Sequence, residues 1–253
     1  MKRLFWLLLI GALLLGIIAA TLPARVALRL VPAGMLPVQL DEVSGSIWSG
    51  RAERVLRGDA ELGRLEWQLH PWSLLRGQID ADLKLQGAEL DGSGRVRVAG
   101  AGDLRVEGAR LRLPASRLDR LLDIPALSMT GRVELELDEL ELRGRVPVAL
   151  KGRASWREAG VSGSEQAVFG TLLAEFGALP DGGFGGSVRD SGEGPLALEG
   201  QFRTVLMGYE GRATLRARED NPQLQGALDR IGQRQPDGSV VYEVKGGLMG
   251  QGS

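Results

Sequence analysis

One imidazole is the first side chain to consider for chemistry, because histidine is a common general base and zinc ligand. His70 is the single histidine among 253 residues, and the chain contains no cysteine. Without a second histidine or a thiol, the usual zinc-ligand sets cannot form, and no serine lies in a nucleophile-elbow pattern. We therefore expect His70, which stands beside Pro71 between Trp67 and Trp72, to have a structural role at the end of a strand.

Three pairs of adjacent carboxylates are the next candidates, since a glycosidase needs two such groups facing each other across a cleft. The pairs lie at 41–42, 138–139 and 219–220. They fall at expected turns or on solvent-facing positions, and 32 acidic residues make some adjacency inevitable. The sequence therefore predicts no catalytic residues and a protein that is not an enzyme.

A glycine-rich segment and a row of arginines are candidates for binding phosphate or nucleic acid. The segment at 182–186 reads GGFGG but lacks the Gly-Lys-Ser/Thr ending of a phosphate loop, which favours a flexible hairpin tip. Arg51, Arg54 and Arg57 recur every third residue, as on one solvated strand or turn. With a net charge of −1, the chain is predicted to bind no nucleic acid, no metal and no cofactor.

Strict alternation of apolar and polar residues dominates the chain after residue 37. It is clearest at 79–85, 95–98, 110–113 and 132–137. A period of two predicts strands with one dry face and one wet face. Glycines recur between these segments at intervals typical of antiparallel meanders, so turns and bulges account for most of the 37 glycines in the chain.

The alternation changes phase at Asp138 and Glu139. The leucines before this point occupy odd positions, and those after it, beginning with Leu140, occupy even positions. In a regular strand, the later leucines would face the wrong side of the sheet. The sequence therefore predicts a β-bulge or a tight turn at these two acidic residues.

Helical periodicity is scarce in this chain. Leucines fall on one face of a segment that begins at Pro114, so we expect a short helix within 114–125. A second helix is predicted at 222–232, where leucine and isoleucine side chains form a stripe. Residues 166–176 fit either period and are assigned to a strand.

The fold class is predicted to be mainly β, with two β-rich halves at 38–113 and 131–250. The helix between them could equally mark a corner in one continuous sheet. Two short helices cannot cover the dry face of a dozen strands, so a long antiparallel sheet must curl into a groove, a half-barrel or a sandwich. A packed sandwich and an open groove both fit the pattern. An open groove, with Leu83, Leu85 and Val98 as its lining, could hold a lipid chain.

Residues 4–22 form an apolar run whose only polar member is Thr21. A helix of this length spans about 28 Å, close to the thickness of a hydrocarbon core. A cleavable signal peptide is the alternative, but its apolar region is usually shorter. We expect a single-pass transmembrane helix, preceded by a basic cytoplasmic tip at 1–3 and followed by a linker at 23–37. The rest of the chain then lies across the membrane, in the periplasm if the cell is Gram-negative.

Three stretches carry a resemblance to a known family. The first, GSIWSGRA at 45–52, is similar to the pattern Gly-x-(Leu/Ile/Val)-Trp-x-Gly-x-Ala. The second, WQLHPWSLLRG at 67–77, is a tryptophan and proline segment that ends in Leu-Leu-x-Gly. The third is GPLALEG at 194–200, followed by Gly232 and the Asp-Gly pair at 237–238. In this order, and with the apolar segment before them, they resemble the type II secretion system protein N family across essentially the whole chain.

The resemblance implies a non-enzymatic periplasmic subunit anchored in the inner membrane, with the secretin and the inner-membrane platform subunits of the secretion system as partners. It implies no catalytic residues. A fainter resemblance to AsmA-like β-groove proteins implies lipid binding or transfer in the envelope as the alternative. Core packing is the competing explanation for the three motif tryptophans. The candidates for partner contact are Trp48, Gly50, Trp67, Pro71, Trp72 and Gly77.

Overall fold

The computed structural model describes residues 22–30, 38–58, 60–100, 102–119, 127–144, 146–163, 166–205 and 208–247. Contacts divide the chain into two compact units, residues 1–100 and 101–253. The predicted spanning segment lies outside the described residues, except for Leu22. Among the residues that the structure describes, no helix is long and apolar enough to cross a membrane.

The described residues of the first unit form five strands, each paired antiparallel with its neighbours in chain order. As far as the described residues show, β1 pairs only with β2, so the sheet of this unit does not close on itself. Its elements are α1 (Ala24–Leu30), β1 (Gln39–Gly45), β2 (Ser49–Arg57), β3 (Ala60–Leu69), α2 (Pro71–Leu74), β4 (Gln78–Gln86) and β5 (Asp91–Ala99).

In the second unit, the part of the chain that the structure describes forms nine strands, again antiparallel. The strands from β6 to β12 pair in chain order, and β14 then lies between β12 and the two-residue β13. Its elements are β6 (Asp103–Pro114), a 3₁₀ helix (Ala115–Leu118), β7 (Leu127–Arg143), β8 (Val146–Gly163), β9 (Ala167–Ala178), β10 (Phe184–Asp190), β11 (Leu196–Val205), β12 (Gly208–Ala217), α3 (Pro222–Ile231), β13 (Gln233–Arg234) and β14 (Val240–Gly247).

The period-two pattern explains which face of each sheet is apolar. Residues directly opposite each other on paired strands share a face, and Leu65 lies opposite Leu85 while Trp67 lies opposite Leu83. The prediction of a mainly β, antiparallel fold with few helices is therefore confirmed. Of the arrangements that the pattern left undecided, the structure shows the open sheet. The wet face carries ion pairs across strands: Glu136 lies between Arg110 and Arg153 on the strands that flank β7.

The bulge predicted at Asp138 and Glu139 is confirmed. Leu137 lies opposite Gly152 and Glu139 lies opposite Lys151, so Asp138 is an extra residue in β7 relative to β8. The extra residue shifts the alternation of side chains by one position, so the side chain of Leu140 lies on the same face as that of Leu137.

A helix covers part of the apolar face in each unit. In the first unit, Ala24 and Leu28 of α1 pack against a core around Val43, Ala52 and Val55. In the second, α3 buries three side chains against β9, β12 and β14. Asn221 caps this helix, because its side-chain oxygen accepts a hydrogen bond from Leu224 N at 3.0 Å. The side chains that α3 buries are Leu224, Ala227 and Leu228.

The predicted helix at 222–232 and the predicted strand at 166–176 are both confirmed by α3 and β9. The helix expected within 114–125 begins as a 3₁₀ turn at Ala115–Leu118, and residues 120–126 lie outside the described part. The linker expected at 23–37 contains α1, which packs on the sheet. The contacts also place β6 in the second unit, whereas the alternation alone assigns it to the first half.

Candidate interaction surfaces

The first motif, at 45–52, forms the connection between β1 and β2. Ser46 N donates to Ser49 O at 2.9 Å, which closes the turn. The Ser46 hydroxyl oxygen accepts hydrogen bonds from the backbone N–H groups of Trp48 and Ser49, both at 3.2 Å. Gly45 has a φ of +86°, which only glycine adopts readily. The motif therefore specifies a tight turn.

Gly50 and Trp67 form one packing unit within this end of the sheet. They lie opposite each other on β2 and β3. A Cβ atom on Gly50 would lie 2.4 Å from Cζ2 of Trp67, so the indole occupies the space that glycine leaves free. Trp67 packs against the α1-covered core, and its Nε1 donates to Ile47 O at 3.2 Å. Core packing therefore accounts for both residues.

Trp48 connects the turn to the end of β3. Its carbonyl oxygen accepts a hydrogen bond from Leu69 N at 2.7 Å. Its side chain is half-buried. This backbone bond places the β1–β2 turn directly beside the residues that lead into α2.

The second motif, at 67–77, ends in an exposed apolar projection. Pro71 begins α2, where its fixed φ suits the first helical position. Trp72 is 75% exposed and Leu75 is 80% exposed. Core packing is therefore wrong for Trp72, and partner contact stays a prediction. Leu74 and Ile79 are also exposed, and we call Trp72, Leu74, Leu75 and Ile79 together the α2 knob.

Polar contacts hold the base of the α2 knob. The His70 carbonyl oxygen accepts a hydrogen bond from the Ser73 hydroxyl at 2.6 Å, and His70 N donates to Asp80 O at 2.8 Å. Gly77 has a φ of +70° and ends the turn before β4. The His70 ring lies 2.8 Å from Asp82 Oδ2. These contacts fit the structural role expected for His70 at a strand end.

A buried carboxylate lies at the start of β4, next to this base. Asp80 is 7% exposed, and Arg95 contacts it with two nitrogens at 2.8 and 2.9 Å, while Arg97 lies at 3.3 Å. The hydrogen bonds from Arg95 are the largest cause that lowers the pKa of Asp80 below its ordinary value of 3.8. Burial opposes this shift, and the two positive charges add to it.

The chain enters the first unit at this same end. The carbonyl oxygen of Leu22 accepts a hydrogen bond from Ile47 N at 3.1 Å, and Pro23 forms a bridge with Ser46. Leu22 is the last residue of the apolar run at 4–22. Leu22, the β1–β2 turn and the base of the α2 knob therefore lie next to one another in this order.

The three residues predicted to line a groove lie on the apolar face of β4 and β5. Leu85 packs against the core that α1 covers. Leu83 and Val98 are half-buried, opposite Gly94 and Ile79 respectively. Their face agrees with the pattern, and their part in lipid binding stays a prediction.

The outer edge of β14 carries free backbone groups. Gln235 N donates to Ser239 O at 2.7 Å, and hydrogen-bonded positions alternate along an antiparallel strand. The backbone groups of Glu243 and Lys245 therefore point toward the same edge. Because β13 pairs only with Val240 and Val241, the described part of the chain supplies no strand beside these two residues.

The edge of β1 differs from that of β14 because other parts of the chain contact it. Arg25 Nε donates to the Val43 carbonyl oxygen, and the chain at Pro23 forms a bridge with Ser46 just beyond the strand. Glu42 has a φ of +53°, an irregularity within this strand. These features make β1 a poor template for another strand.

Exposed aromatic side chains continue the apolar face of the second unit beyond α3. The pairing places Phe202 and Tyr209 on the same face as the buried Leu215, and Tyr242 lies on that face of β14. Phe202, Tyr209 and Tyr242 are all exposed. The helix therefore leaves part of this face open to a ligand or partner.

The paired carboxylates make ordinary ion pairs. Arg54 lies 3.7 Å from Asp41 and 3.4 Å from Glu42, and Arg105 lies 2.5 Å from Glu139. In the described ranges, no group of three or more histidine, cysteine, aspartate or glutamate residues could hold a metal ion. Residues 182–183 lie in the turn before β10, and the rest of the GGFGG segment begins that strand.

Sequence reasoning missed most of the α2 knob and the free part of the β14 edge. Leu74, Leu75 and Ile79 are apolar, and composition alone assigns such residues to a core. The sequence feature that could have indicated the knob is Pro71, which starts a very short helix. A helix of four residues cannot bury the side chains on both of its faces, so some of its apolar residues stay exposed. The β14 edge depends on strand order, which alternation does not reveal.

Comparisons with known proteins are consistent with these motifs. The family model described as "Type II secretion system (T2SS), protein N" matches residues 37–243. A type II secretion system protein N from Vibrio cholerae serotype O1 is 30% identical over 176 residues, which cover 67% of this chain and 68% of that protein. One from Aeromonas hydrophila is 34% identical over 130 residues, which cover 49% of this chain and 50% of the relative. No solved structure gives a significant match. The chain belongs to the type II secretion system protein N family.

Proposed function

We propose that this protein is an inner-membrane-anchored periplasmic subunit that supports type II secretion through protein–protein contacts and catalyses no reaction. The free edge of β14 is the observation that carries the proposal. Exposed N–H and C=O groups can pair with a strand of another chain, and the backbone bonds then supply affinity. The partners are the secretin and the inner-membrane platform subunits, as the family resemblance implies.

The β14 edge has the chemistry that strand addition needs. Glu243 and Lys245 point their backbone groups outward, while the intervening Val244 pairs with β12. The side chain of Glu243 lies 3.6 Å from Arg212, so one charge on this strand is already paired within the unit. A partner strand beside β14 would extend the sheet without disturbing the core under α3.

Lys245→Pro tests the proposal. Proline removes the outward N–H of residue 245 and leaves the hydrogen bonds between β12 and β14 in place, because edge strands tolerate proline on their free side. We expect full-length Lys245→Pro to co-purify at least about tenfold less secretin or platform subunit than the wild type. Lys245→Ala is the matched control, since it removes the charge and keeps the N–H.

Circular dichroism and the melting temperature of Lys245→Pro establish that it remains folded. Equal loss of the partner in Lys245→Ala and Lys245→Pro would assign the contact to the lysine charge rather than to the backbone edge. Wild-type levels of both partners with Lys245→Pro would refute strand addition at β14.

Lipid binding or transfer is the second candidate, and the exposed aromatic residues beyond α3 favour it. Phe202, Tyr209 and Tyr242 form an accessible continuation of the buried apolar face. A surface of this kind can bind an acyl chain. The half-buried Leu83 and Val98 could contribute in the same way within the first unit.

Mass spectrometry of lipids that co-purify with the full-length chain tests the lipid candidate. Phe202→Asp and Leu83→Asp should each reduce the bound acyl chains if their faces carry lipid. Gln201→Asp is the matched control, because Gln201 is exposed next to Phe202 but lies on the opposite face of β11. Lipid recovery equal to that of an unrelated membrane protein, unaffected by these substitutions, would contradict this function.

A further inference from the structure

We propose that the α2 knob lies on the surface of the same membrane that residues 4–22 span. The inference rests on the anchor in the proposed function and adds a second contact with lipid. The lipid surface is the single occupant that we assign to Trp72, Leu74, Leu75 and Ile79. The reason is the path of the chain between these residues and the anchor.

The anchor and the α2 knob are connected by three close steps. Leu22 ends the apolar run, and its carbonyl oxygen accepts a hydrogen bond from Ile47. Trp48 follows Ile47, and its carbonyl oxygen accepts a hydrogen bond from Leu69. Two strand spacings and one residue therefore separate Leu22 from the end of β3, a path of about 14 Å at most. A helix that leaves the hydrocarbon at residue 22 thus brings the base of α2 close to the headgroups.

The strand order places the other end of the unit far from this entry point. β3 runs from Ala60 to Leu69, and its first residues pair with Arg57 and Leu56 at the end of β2. Eight residues of strand extend about 26 Å. The turn that carries Trp72 is therefore at the membrane-proximal end, and Glu61 is at the distal end.

The composition of the knob suits the interface between headgroups and acyl chains. Trp72 presents a large apolar surface and an indole N–H, the combination enriched at bilayer interfaces. Leu74 and Leu75 lie beside it, and Arg76 is exposed next in sequence, where its charge can reach an anionic headgroup. Three exposed apolar residues within four positions are costly in water, and insertion removes that cost.

Lipid explains the position of the knob better than a protein partner does. A protein contact could use any surface of the unit, whereas the membrane is available only at the end where the chain enters. The bonds within the turn, from Ser73 to the His70 carbonyl and from His70 N to Asp80 O, hold α2 in a fixed orientation without any partner. The knob is therefore preformed for docking on a surface beside the anchor.

The absence of cysteine from the chain allows a direct test with one introduced label. Leu75→Cys, carrying a nitroxide, is prepared in the full-length protein and placed in nanodiscs of phosphatidylethanolamine and phosphatidylglycerol. Glu61→Cys is the matched control, exposed at the distal end of the same unit. The measurement is the collision rate of each label with oxygen, which concentrates in lipid, and with a water-soluble nickel chelate.

We expect the oxygen-to-nickel ratio at position 75 to exceed that at position 61 several-fold. Adding Trp72→Ser to the Leu75→Cys protein should lower the ratio, because the indole is part of the membrane contact. Circular dichroism establishes that the labelled proteins are folded, as expected because all three substituted positions, 61, 72 and 75, are exposed.

Equal ratios at positions 75 and 61 in inserted protein would overturn the docking inference alone and leave the anchor intact. A carbonate wash separates this result from failure of the proposed function. Chains that the wash removes from the bilayer would contradict the transmembrane anchor, and the inference that rests on it would fail too. A ratio at position 75 that rises only when a purified partner subunit is added would assign the knob to protein and overturn the lipid contact.

Discussion

Trp67 and Gly50 show how a single missing side chain can position a large one. The indole fills the space above Gly50 and reaches the Ile47 carbonyl oxygen, so both the turn and the core depend on its position. Any side chain at residue 50 would compete with the ring and with the Ser44 carbonyl oxygen, 2.8 Å from a Cβ atom there. The spacing of the first two motifs thus has a packing cause.

Gly50→Ala should destabilise the protein by about 1–3 kcal/mol, because the methyl group displaces the Trp67 ring. The measurement is the free energy of unfolding in urea. Gly177→Ala is the control: a Cβ atom there has its nearest contact at 3.6 Å, and the strand backbone suits alanine. An unchanged stability for Gly50→Ala would mean that Trp67 has another place to pack.

Asp80→Asn should destabilise the folded protein by about 1–3 kcal/mol at pH 7, through loss of charged hydrogen bonds to Arg95 and Arg97. The partly exposed Arg95 keeps the loss moderate, because water can solvate it in the variant. The same side chain also predicts a pH dependence. Its pKa is lower in the folded than in the unfolded state, so its stabilising contribution is present above pH 3.8 and is lost as the pH falls through the folded pKa.

Urea unfolding of wild type and Asp80→Asn between pH 7 and pH 2 measures that contribution. The difference between the two proteins should be greatest near neutral pH and should shrink below about pH 4. Other carboxyl groups whose pKa is lowered in the folded state, such as that of Asp190, are present in both proteins. Their contributions to the free energy of unfolding therefore cancel in the difference. A difference that stays constant over the range would show that Asp80 does not act through its charge.

Single residues were predictable where a local rule determines their environment. The isolated His70 lacks the partners for catalysis in the sequence itself, and its structural bonds follow from its place after β3. Trp72 was not predictable as exposed, because nothing in the spacing of an apolar residue reveals whether a neighbouring element covers it. Its exposure depends on the shortness of α2, a property of the fold.

At the scale of elements, the bulge in β7 keeps the two ends of a long strand on the same face. The strand extends from Leu127 to Arg143, and Asp138 adds one residue against β8. The extra position corrects the phase of the leucines on both sides. The insertion is therefore part of the design of the sheet rather than a defect.

Deletion of Asp138 should destabilise the second unit by more than about 4 kcal/mol. Without this residue, the side chains at one end of β7 move to the opposite face of the sheet, so charged groups become buried and apolar groups exposed. Asp138→Ala keeps the residue count and should change stability by less than about 0.5 kcal/mol, as for other exposed positions. Thermal unfolding of both variants measures the contrast. Similar melting temperatures for deletion and substitution would show that the register can slip without cost.

Elements with a strong period could be predicted from the sequence, and short ones could not. α3 has a leucine stripe, an asparagine cap and a proline at its start, all of which are local signals. α1 has only seven residues and lies in a stretch interrupted by prolines, so a linker is the natural expectation. Its packing on β1 and β2 is a tertiary effect, which intrinsic propensity does not encode.

At the scale of the molecule, the sequence predicted a mainly β protein because its pattern contains few helices. It did not decide between a packed sandwich and an open groove, since alternation does not reveal whether two sheet faces meet. The division into units at residue 100 was not predictable, since β5 and β6 carry the same alternation. The family could be recognised from the order of its motifs. Which of those motif residues lie on the surface could be seen only in the structure, because Trp67 and Trp72 are the same residue type, yet Trp67 is half-buried against the core and Trp72 is largely exposed.

The strand order has a consequence for how the protein reaches its folded state. Within each unit, most strands pair with the strand that precedes them in the chain. A chain that folds as it emerges can therefore pair most new strands with one that is already formed. Such neighbour-by-neighbour pairing has little loop-closure cost and suits rapid folding. If the chain crosses a membrane in an extended state, it can assemble from its amino end as it emerges. In that order, β14 pairs with β12 only after the residues of α3 have emerged.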